Sequence, residues 1–388
     1  MKAIAVVLVI ACGGGNQAEP PAAGTRIVYD LDLDRAIANH DQDLAARLSG
    51  EVHIPVLPLG EDLFTMTPEP ARSAEVRKAI TDQTGPMIEW TACPVTAAGG
   101  ALCFKLAATH KVDAQRLAVA TAAETMRARF AAMKVAATAV VQGTQIVVEV
   151  AGGDPQVMAV RGMVQRAGRL EFKIVDDNSE QMKHVFAHVG FADKPTDPVA
   201  VAAGIHAEVD AWPTESGERH IDYYLLGPDR AKLVAYLEQL GTSFTLPADR
   251  QYGFELVPPL RPGEPALWRT YYLERIAQLT GAQVTKAELV QDPNTDQPTV
   301  LLDFNRAGAE RFGELTGRIV GKKLAIVLDG TVSSAPIING PIRGGRASIA
   351  MGGSDRAKQR RDAVELTAIL STGALPAPLR EVRVERAP

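Results

Sequence analysis

LAIVLDGTVSSAPIINGPIRGG, residues 324–345, holds one aspartate, two serines and four glycines within a single short region. Such a composition suits a catalytic loop, a phosphate cradle or a shaped hairpin. Asp329-Gly330 stands between two apolar runs, where a type I′ turn needs positive φ at both central residues and favours this dipeptide. Ser333 and Ser334 lack the G-x-S-x-G elbow that exposes a nucleophile, and the C-terminal half offers only His206 and His220 as partners. The preceding GRIVGKK, residues 317–323, has three residues between its glycines where a phosphate loop has four, and Lys323 stands where a Ser or Thr would bind magnesium. It also precedes its strand, so it reads as a helix terminus. Asp329, Gly330, Pro336, Gly344 and Gly345 are therefore expected to shape backbone, and Gly352-Gly353 to admit a bend.

Outward from this hairpin, PTVLLDF reads as a strand, and residues 306–319 as a helix burying Ala309, Phe312, Leu315 and Ile319. A strand near 346–351 leads to Ser354, an expected N-cap for a helix that carries Val364, Leu366, Ile369 and Leu370 and stops at Gly373. REVRVER is expected to close this unit as an alternating strand. The same order occurs earlier. A strand at Leu102, Phe104 and Leu106 precedes a helix with Leu117, Ala120, Ala123, Met126, Phe130 and Met133 on one stripe. A hairpin across Gln142-Gly143 follows, then a helix from Asp154-Pro155, then RLEFKIV with Leu170, Phe172 and Ile174 facing inward. The pattern predicts an α+β fold with two ferredoxin-like βαββαβ lobes and additional antiparallel strands. The expected divisions are 1–24 as signal and tether, 25–175 as a base lobe that opens with the strand TRIVYDL and a helix ending at Gly50, 176–290 as strand-rich connection with one helix at 229–240, and 291–388 as a head lobe. Residues 51–90 are Pro-rich and show no period.

The chain of 388 residues carries 41 Lys and Arg against 46 acidic residues, a net charge of −5, with no basic block. Nucleic acid is not an expected partner, since neutralising phosphates needs clustered cations. MKAIAVVLVIAC begins with one Lys before an apolar run from Ala3 to Ala11, too short to span roughly 30 Å of hydrocarbon but suited to an export signal. Val9-Ile10-Ala11-Cys12 resembles the bacterial lipobox, which makes Cys12 the expected lipidation site and GGGNQAEPPAAG a tether. Cys93 and Cys103 bracket PVTAAGGAL, and two readings stand: a disulfide in an oxidising compartment, or buried thiols in the cytosol. No cofactor is expected. His184 and His188 share metal-ligand spacing in HVFAH, but Val185 replaces the glutamate of H-E-x-x-H and no third ligand is evident, so no metal and no catalytic residue are expected.

GAERFGELTGRIVGKKLAIVLDGTVSSAPIINGPIRGG, followed by DAVELTAILSTGALPAPL, resembles the end of the large first periplasmic domain of SecD, a bacterial protein-export subunit. ETMRARFAAM, QIVVEVAGGDP and AGRLEFKIVDD resemble its earlier lobe, and RIVYDLDLDRAI the segment after its first membrane helix. Residues 51–100 and 176–250 match poorly. The family's D-L-x-G-G motif is replaced here by the lipobox and tether, and its proton-conducting residues have no counterpart. The lipobox and the resemblance together imply a lipid-anchored module on the periplasmic face of the envelope, with the outer membrane favoured because Gly13 follows Cys12. It further implies unfolded exported polypeptide as partner, with SecF and the SecYEG translocon in the same pathway, and no catalysis. A stand-alone scaffold lipoprotein without an export role is the alternative. Exposed strand edges and an interlobe cleft would bind extended peptide through backbone hydrogen bonds.

Overall fold

The structure is a computed structural model that describes residues 24–386 except 61, 96, 215, 216, 218, 242, 260–262, 294, 295 and 351–355. Cys12, Gly352, Gly353 and Ser354 lie outside the described residues. The chain enters as β1 (Gly24–Leu31) and turns into α1 (Leu33–Val52), whose N-cap Asp32 accepts the Arg35 N–H. This helix does not stop at Gly50. Leu48 and Val52 carry its apolar stripe into a second core, and a left-handed His53 ends it. The Pro-rich stretch without a period folds there as β2 (Leu57–Pro58), β3 (Leu63–Met66), α2 (Ser73–Thr84), β4 (Ile88–Thr91) and β5 (Leu102–Leu106). Its sheet has the order β2-β3-β5-β4, and Phe64 and Phe104 stack at 4.9 Å over Ile80 and Leu48.

The chain returns as α3 (Ala108–Ala132), β6 (Ala137–Gln142), β7 (Gln145–Ala151) and α4 (Asp154–Gln165). Leu117 and Met133, expected in the buried stripe of α3, are exposed; the buried row is Val119, Ala122, Ala123, Met126 and Phe130. Beyond α4, the chain crosses to β8 (Leu170–Ile174) and enters α5 (Glu180–Val189), β9 (Gly190–Phe191), β10 (Lys194–Pro195) and α6 (Pro198–Ala203). β11 (His206–Pro213), β12 (Arg219–Gly227), α7 (Arg230–Leu240), β13 (Arg250–Val257) and β14 (Leu267–Glu274) complete a sheet of order β11-β12-β14-β13. Its apolar side packs Ala207, Leu225 and Phe254 against Val185, Leu233 and Leu237 of the helices. The remainder is β15 (Leu279–Thr280), β16 (Val284–Gln291), β17 (Pro298–Phe304), α8 (Arg306–Arg318), β18 (Leu324–Leu328), β19 (Thr331–Ser334), β20 (Arg346–Ala350), α9 (Arg356–Thr372) and β21 (Leu379–Arg386). Val364 of α9, expected inside, is exposed.

The fold is α+β, with antiparallel pairing in every sheet. The expected units, however, recombine. β5 pairs with β3 and β4 in the small sheet; β8 pairs with β15 and β18; and β21 pairs with β1, from Thr25↔Arg386 to Leu31↔Leu379. The base sheet is β21-β1-β7-β6, a βαββαβ connection that begins in the chain with the first described strand and ends with the last. Its core holds Ile27, Tyr29, Ile146 and Val148 against Val160 of α4 and Phe130 of α3. These pairings run across the divisions expected at 175/176 and 290/291. Alternation along a strand fixes which face is apolar, but not which strand lies beside it. β8 shows the same limit. All five of its residues are buried, because it is central in its sheet and Glu171 and Lys173 have a second covered face, where the Lys173 ammonium donates to the Arg275 carbonyl at 2.9 Å.

Candidate functional site

Above the base, the sheets β15-β8-β18-β19 and β16-β17-β20 face one another with α8 and α9 closing their core. Phe172, Phe304 and Phe312 form its aromatic centre, with ring centroids 5.1 to 5.8 Å apart. The two sheets part at one side. A groove of about 420 Å³ opens there, floored by Phe172, Leu324 and Ile326, walled by Leu301 and Phe312, and rimmed by residues 336–342. β20 is the edge strand of its sheet and lines the groove with Ala347 and Ser348, so among the described residues its outer backbone groups have no strand partner. At the mouth, the Arg346 guanidinium pairs with Asp303 at 2.6 Å. An apolar trough beside an unpaired strand edge has the chemistry to take an extended peptide, side chains into the trough and backbone onto the edge.

The opening stretch of the sequence builds one flank of this groove. Asp329 and Gly330 stand at φ 50 and 75 between β18 and β19. The Asp329 carboxylate also accepts the Arg169 N–H at 2.8 Å, tying the turn to the chain that leaves the base. Pro336 accepts the Leu324 N–H at 3.0 Å, and its neighbours Ile337 and Ile338 continue the pairing toward Lys322. Gly345, at φ 65, accepts the Phe304 N–H, and an added Cβ would meet Ala309 at 2.9 Å; Gly344 faces open space. The Ser333 and Ser334 pair lies on β19. His184 is exposed on α5, and His188 Nε2 lies 3.5 Å from Asp197. Among the described residues no three metal-ligating side chains converge. The Cys93 and Cys103 sulfurs are bonded across the β4–β5 hairpin, with their Cα atoms 5.1 Å apart.

A second concavity of about 730 Å³ lies between the end of α1, with residues 53–57, and the facing α8 with residues 274–278. It is lined by both signs of charge, including Arg47, Glu51, Arg311 and Glu314, around Ile54 and Ile276.

Sequence reasoning missed a buried ion cluster behind β18. Asp210 and Asp222 are register partners across β11 and β12, a like-charge pair that repels unless cations intervene. Lys323 and Arg269 supply them. The Lys323 ammonium lies 2.6 Å from Asp222 and 3.1 Å from Asp210, and the Arg269 guanidinium 2.7 Å from each. Arg269 is held over the Tyr224 ring at 3.6 Å, and Lys323 over Trp212 at 4.6 Å. Burial alone would raise the Asp210 pKa, but Arg269 and Lys323 outweigh it and hold that carboxyl below its ordinary range. Asp177 is different. Burial pushes its pKa up to about 7, its Oδ2 accepts the Lys323 N–H at 2.9 Å, and its buried Oδ1 has no partner. Two aspartates at matching strand positions were the available signal; the cations come from residues 269 and 323, too distant in sequence to be assigned.

These elements define an α+β body of facing antiparallel sheets with a peptide-sized apolar groove, carried on a separate base sheet. Comparison with known families finds that residues 258–377 match the model described as SecDF, P1 head subdomain. The protein translocase subunit SecD of Rhodothermus marinus is 30% identical over 272 residues, which cover 61% of this chain and 41% of that protein. SecD of Rickettsia prowazekii is 44% identical over 112 residues, 28% of this chain and 20% of that protein. SecDF of Thermus thermophilus is 40% identical over 106 residues, 27% of this chain and 14% of that protein. The chain thus spans less than half the length of these relatives. All three are named protein translocase subunits. A crystal structure of SecDF in its super-membrane-facing form aligns with 94% of this chain and 30% of its own, at 20% identity and a TM-score of 0.45. No helix among the described residues is long and apolar enough to cross a membrane.

Proposed function

We propose that this protein is a SecD-like module on the periplasmic face of the cell envelope, anchored through lipidated Cys12, that holds unfolded exported polypeptide during or after Sec-dependent translocation. The observation that carries this reading is the apolar groove lined mainly by residues of the P1 head match, with Phe172 of β8 added from outside it, and bordered by the unpaired edge of β20. An extended chain laid there gains main-chain hydrogen bonds independent of its sequence, and the trough accepts apolar side chains that a folded cargo would have hidden. SecF and SecYEG are the partners that this role requires. Two ferredoxin-like lobes remain the architectural reading, now with β1 and β21 completing the lower one.

The test places a photocrosslinking residue at Ser348 in cells exporting a radiolabelled, slowly folding secretory protein. Crosslinks to that protein are expected, and Ile342→Asp at the groove rim should reduce them about tenfold, since burying a carboxylate there removes the apolar contact. Undiminished crosslinking in the variant would remove the groove from the account. Palmitate labelling that persists after Cys12→Ala would remove the anchor. A scaffold role without export is the second reading. It is favoured by the elements from α5 to β13, which lie outside the P1 head match, and recovery of one unrelated partner in place of translocon components would select it.

A further inference from the structure

β11 and β12 pair with each other along their whole length, from His206↔Leu226 to Pro213↔Arg219. β12, however, is joined to β14 only at Leu226 and Gly227, whereas β13 and β14 pair from end to end. The outer part of the β11–β12 hairpin therefore leaves its own sheet as an arm. Its tip lands on Gly321, at the approach to β18. The Trp212 indole donates to the Gly321 carbonyl at 2.8 Å. Gly321 stands at φ +88, and a Cβ added there would lie 2.6 Å from Thr214 Cγ2 and 3.6 Å from His220 Nε2, so glycine is the residue that fits against the arm. Behind the tip, Lys323 pairs with Asp222 and Asp210 and lies over the Trp212 ring, which also stacks on His220 at 5.9 Å.

Gly321 is also where the groove rim is fastened. Its N–H donates to the Ile338 carbonyl at 2.8 Å, the Ile338 N–H donates to the Lys322 carbonyl at 2.9 Å, and the Leu324 N–H donates to the Pro336 carbonyl at 3.0 Å. Lys323 and Ile337 are bridge partners between these bonds. Residues 336–338 are thereby held along 321–324, and they form one end of the rim. The other end is held by α8, where Thr316 Oγ1 accepts the Ile342 N–H at 2.8 Å. Gly321 thus serves two masters: its N–H holds the rim, and its carbonyl is held by the arm. The indole that holds it has the His220 ring and the Lys323 ammonium against it, so this directional bond has a fixed donor.

We propose that the β11–β12 arm is a brace for the groove rim, with Trp212 as its positioning residue: through Gly321 it holds residues 336–338 in place, and so sets how wide the groove stands and how long an extended peptide stays in it. The brace comes from outside the P1 head match and grips a segment inside it. Trp212 does not line the groove, so it acts on an occupant only through Gly321 and the rim. The control of peptide residence rests on the groove being the peptide site; the bracing of the rim does not. A loosened rim leaves the approach to the groove open, so the effect falls on release and spares capture.

The test is Trp212→Phe in the full chain, which keeps an aromatic ring beside His220 and Lys323 and removes the indole N–H. Hydrogen exchange at the Gly321 and Ile338 amides should quicken about tenfold, the effect of one lost hydrogen bond, with β8 and β17 as protected as before. In stopped flow, a fluorescein-labelled peptide of alternating leucine and serine should leave the variant about fivefold faster, at an unaltered association rate. Should Trp212→Phe not fold, Gly321→Ala gives the same reading by wedging the arm off the rim with the indole intact. Unchanged exchange at Gly321 and Ile338 would overturn the proposal. A rise shared equally by β8 and β17 would also overturn it, making Trp212 an ordinary packing residue. Local loosening of the rim in a protein that never binds the peptide would uphold the brace and count against the groove as the peptide site.

Discussion

At the scale of the residue, the chain shows how far chemistry can hide in alternation. Trp212 and His220, and Asp210 and Asp222, occupy matched positions on β11 and β12, and their spacing alone reads as an ordinary polar strand face. Lys323 fails the phosphate-loop pattern, yet its side chain is nearly as buried as that of Asp222, which it neutralises, and far more buried than that of Asp210. Replacing it with Met leaves Asp222 with one cation in a site shut off from water, and should cost about 3 kcal/mol in denaturant unfolding. Adding Asp222→Asn should recover much of that loss, as a double-mutant cycle would record. Asp177 carries the pH dependence. Its pKa is raised from 3.8 to about 7, so the folded chain binds a proton that the unfolded chain has released. This contribution is fully present below about pH 4, and stability declines as pH rises through the window between the two values. Asp177→Asn should therefore melt several degrees above the unsubstituted protein at pH 8 and show no advantage at pH 4, checked by thermal melts across that range.

At the scale of the element, most helices and strands were legible, because amphipathic period and turn residues declare them locally. The Asp329-Gly330 turn stands where those residues put it, and the hairpin expected across Gln142-Gly143 forms one residue further on, with Gln142 paired to Gln145. Neighbourhood was not legible. Leu102, Phe104 and Leu106 announce a strand without disclosing that its partners lie at 63–66 and 88–91, and REVRVER gives no sign that its partner lies more than 350 residues upstream. The groove was legible only as a glycine-rich stretch; its floor comes from β8 and its wall from α8, which no local pattern connects. The β4–β5 hairpin depends on a covalent tie. Closing a loop of sequence separation 10, the Cys93–Cys103 bond should contribute about 2–3 kcal/mol through the unfolded state. Cys93→Ser with Cys103→Ser should lower the melting point of the oxidised protein, and the loss should vanish when both proteins are compared under reductant.

At the scale of the whole molecule, the base is one sheet from which two folded insertions emerge, the small sheet after α1 and the large body after α4. The insertions keep their own cores, so damage to the base need not reach them. Removing residues 379–388 strips β21 from β1 and takes away Glu381, which holds Arg161 of α4 through two hydrogen bonds of 2.7 and 2.8 Å. The expected outcome is rapid hydrogen exchange throughout β1 and β7, with β17 and β18 still protected. Uniform loss of protection would show instead that base and body unfold together.

The partnership of β1 with β21 sets an order of events for a chain delivered from its N-terminus. Thr25 would reach the far side of a membrane early, yet must wait for Arg386 before its sheet has a second flank. Closing so long a loop costs only slightly more entropy than closing a short one, but it cannot begin until the tail arrives. The insertions can mature in that interval, and the foundation on which they stand sets last.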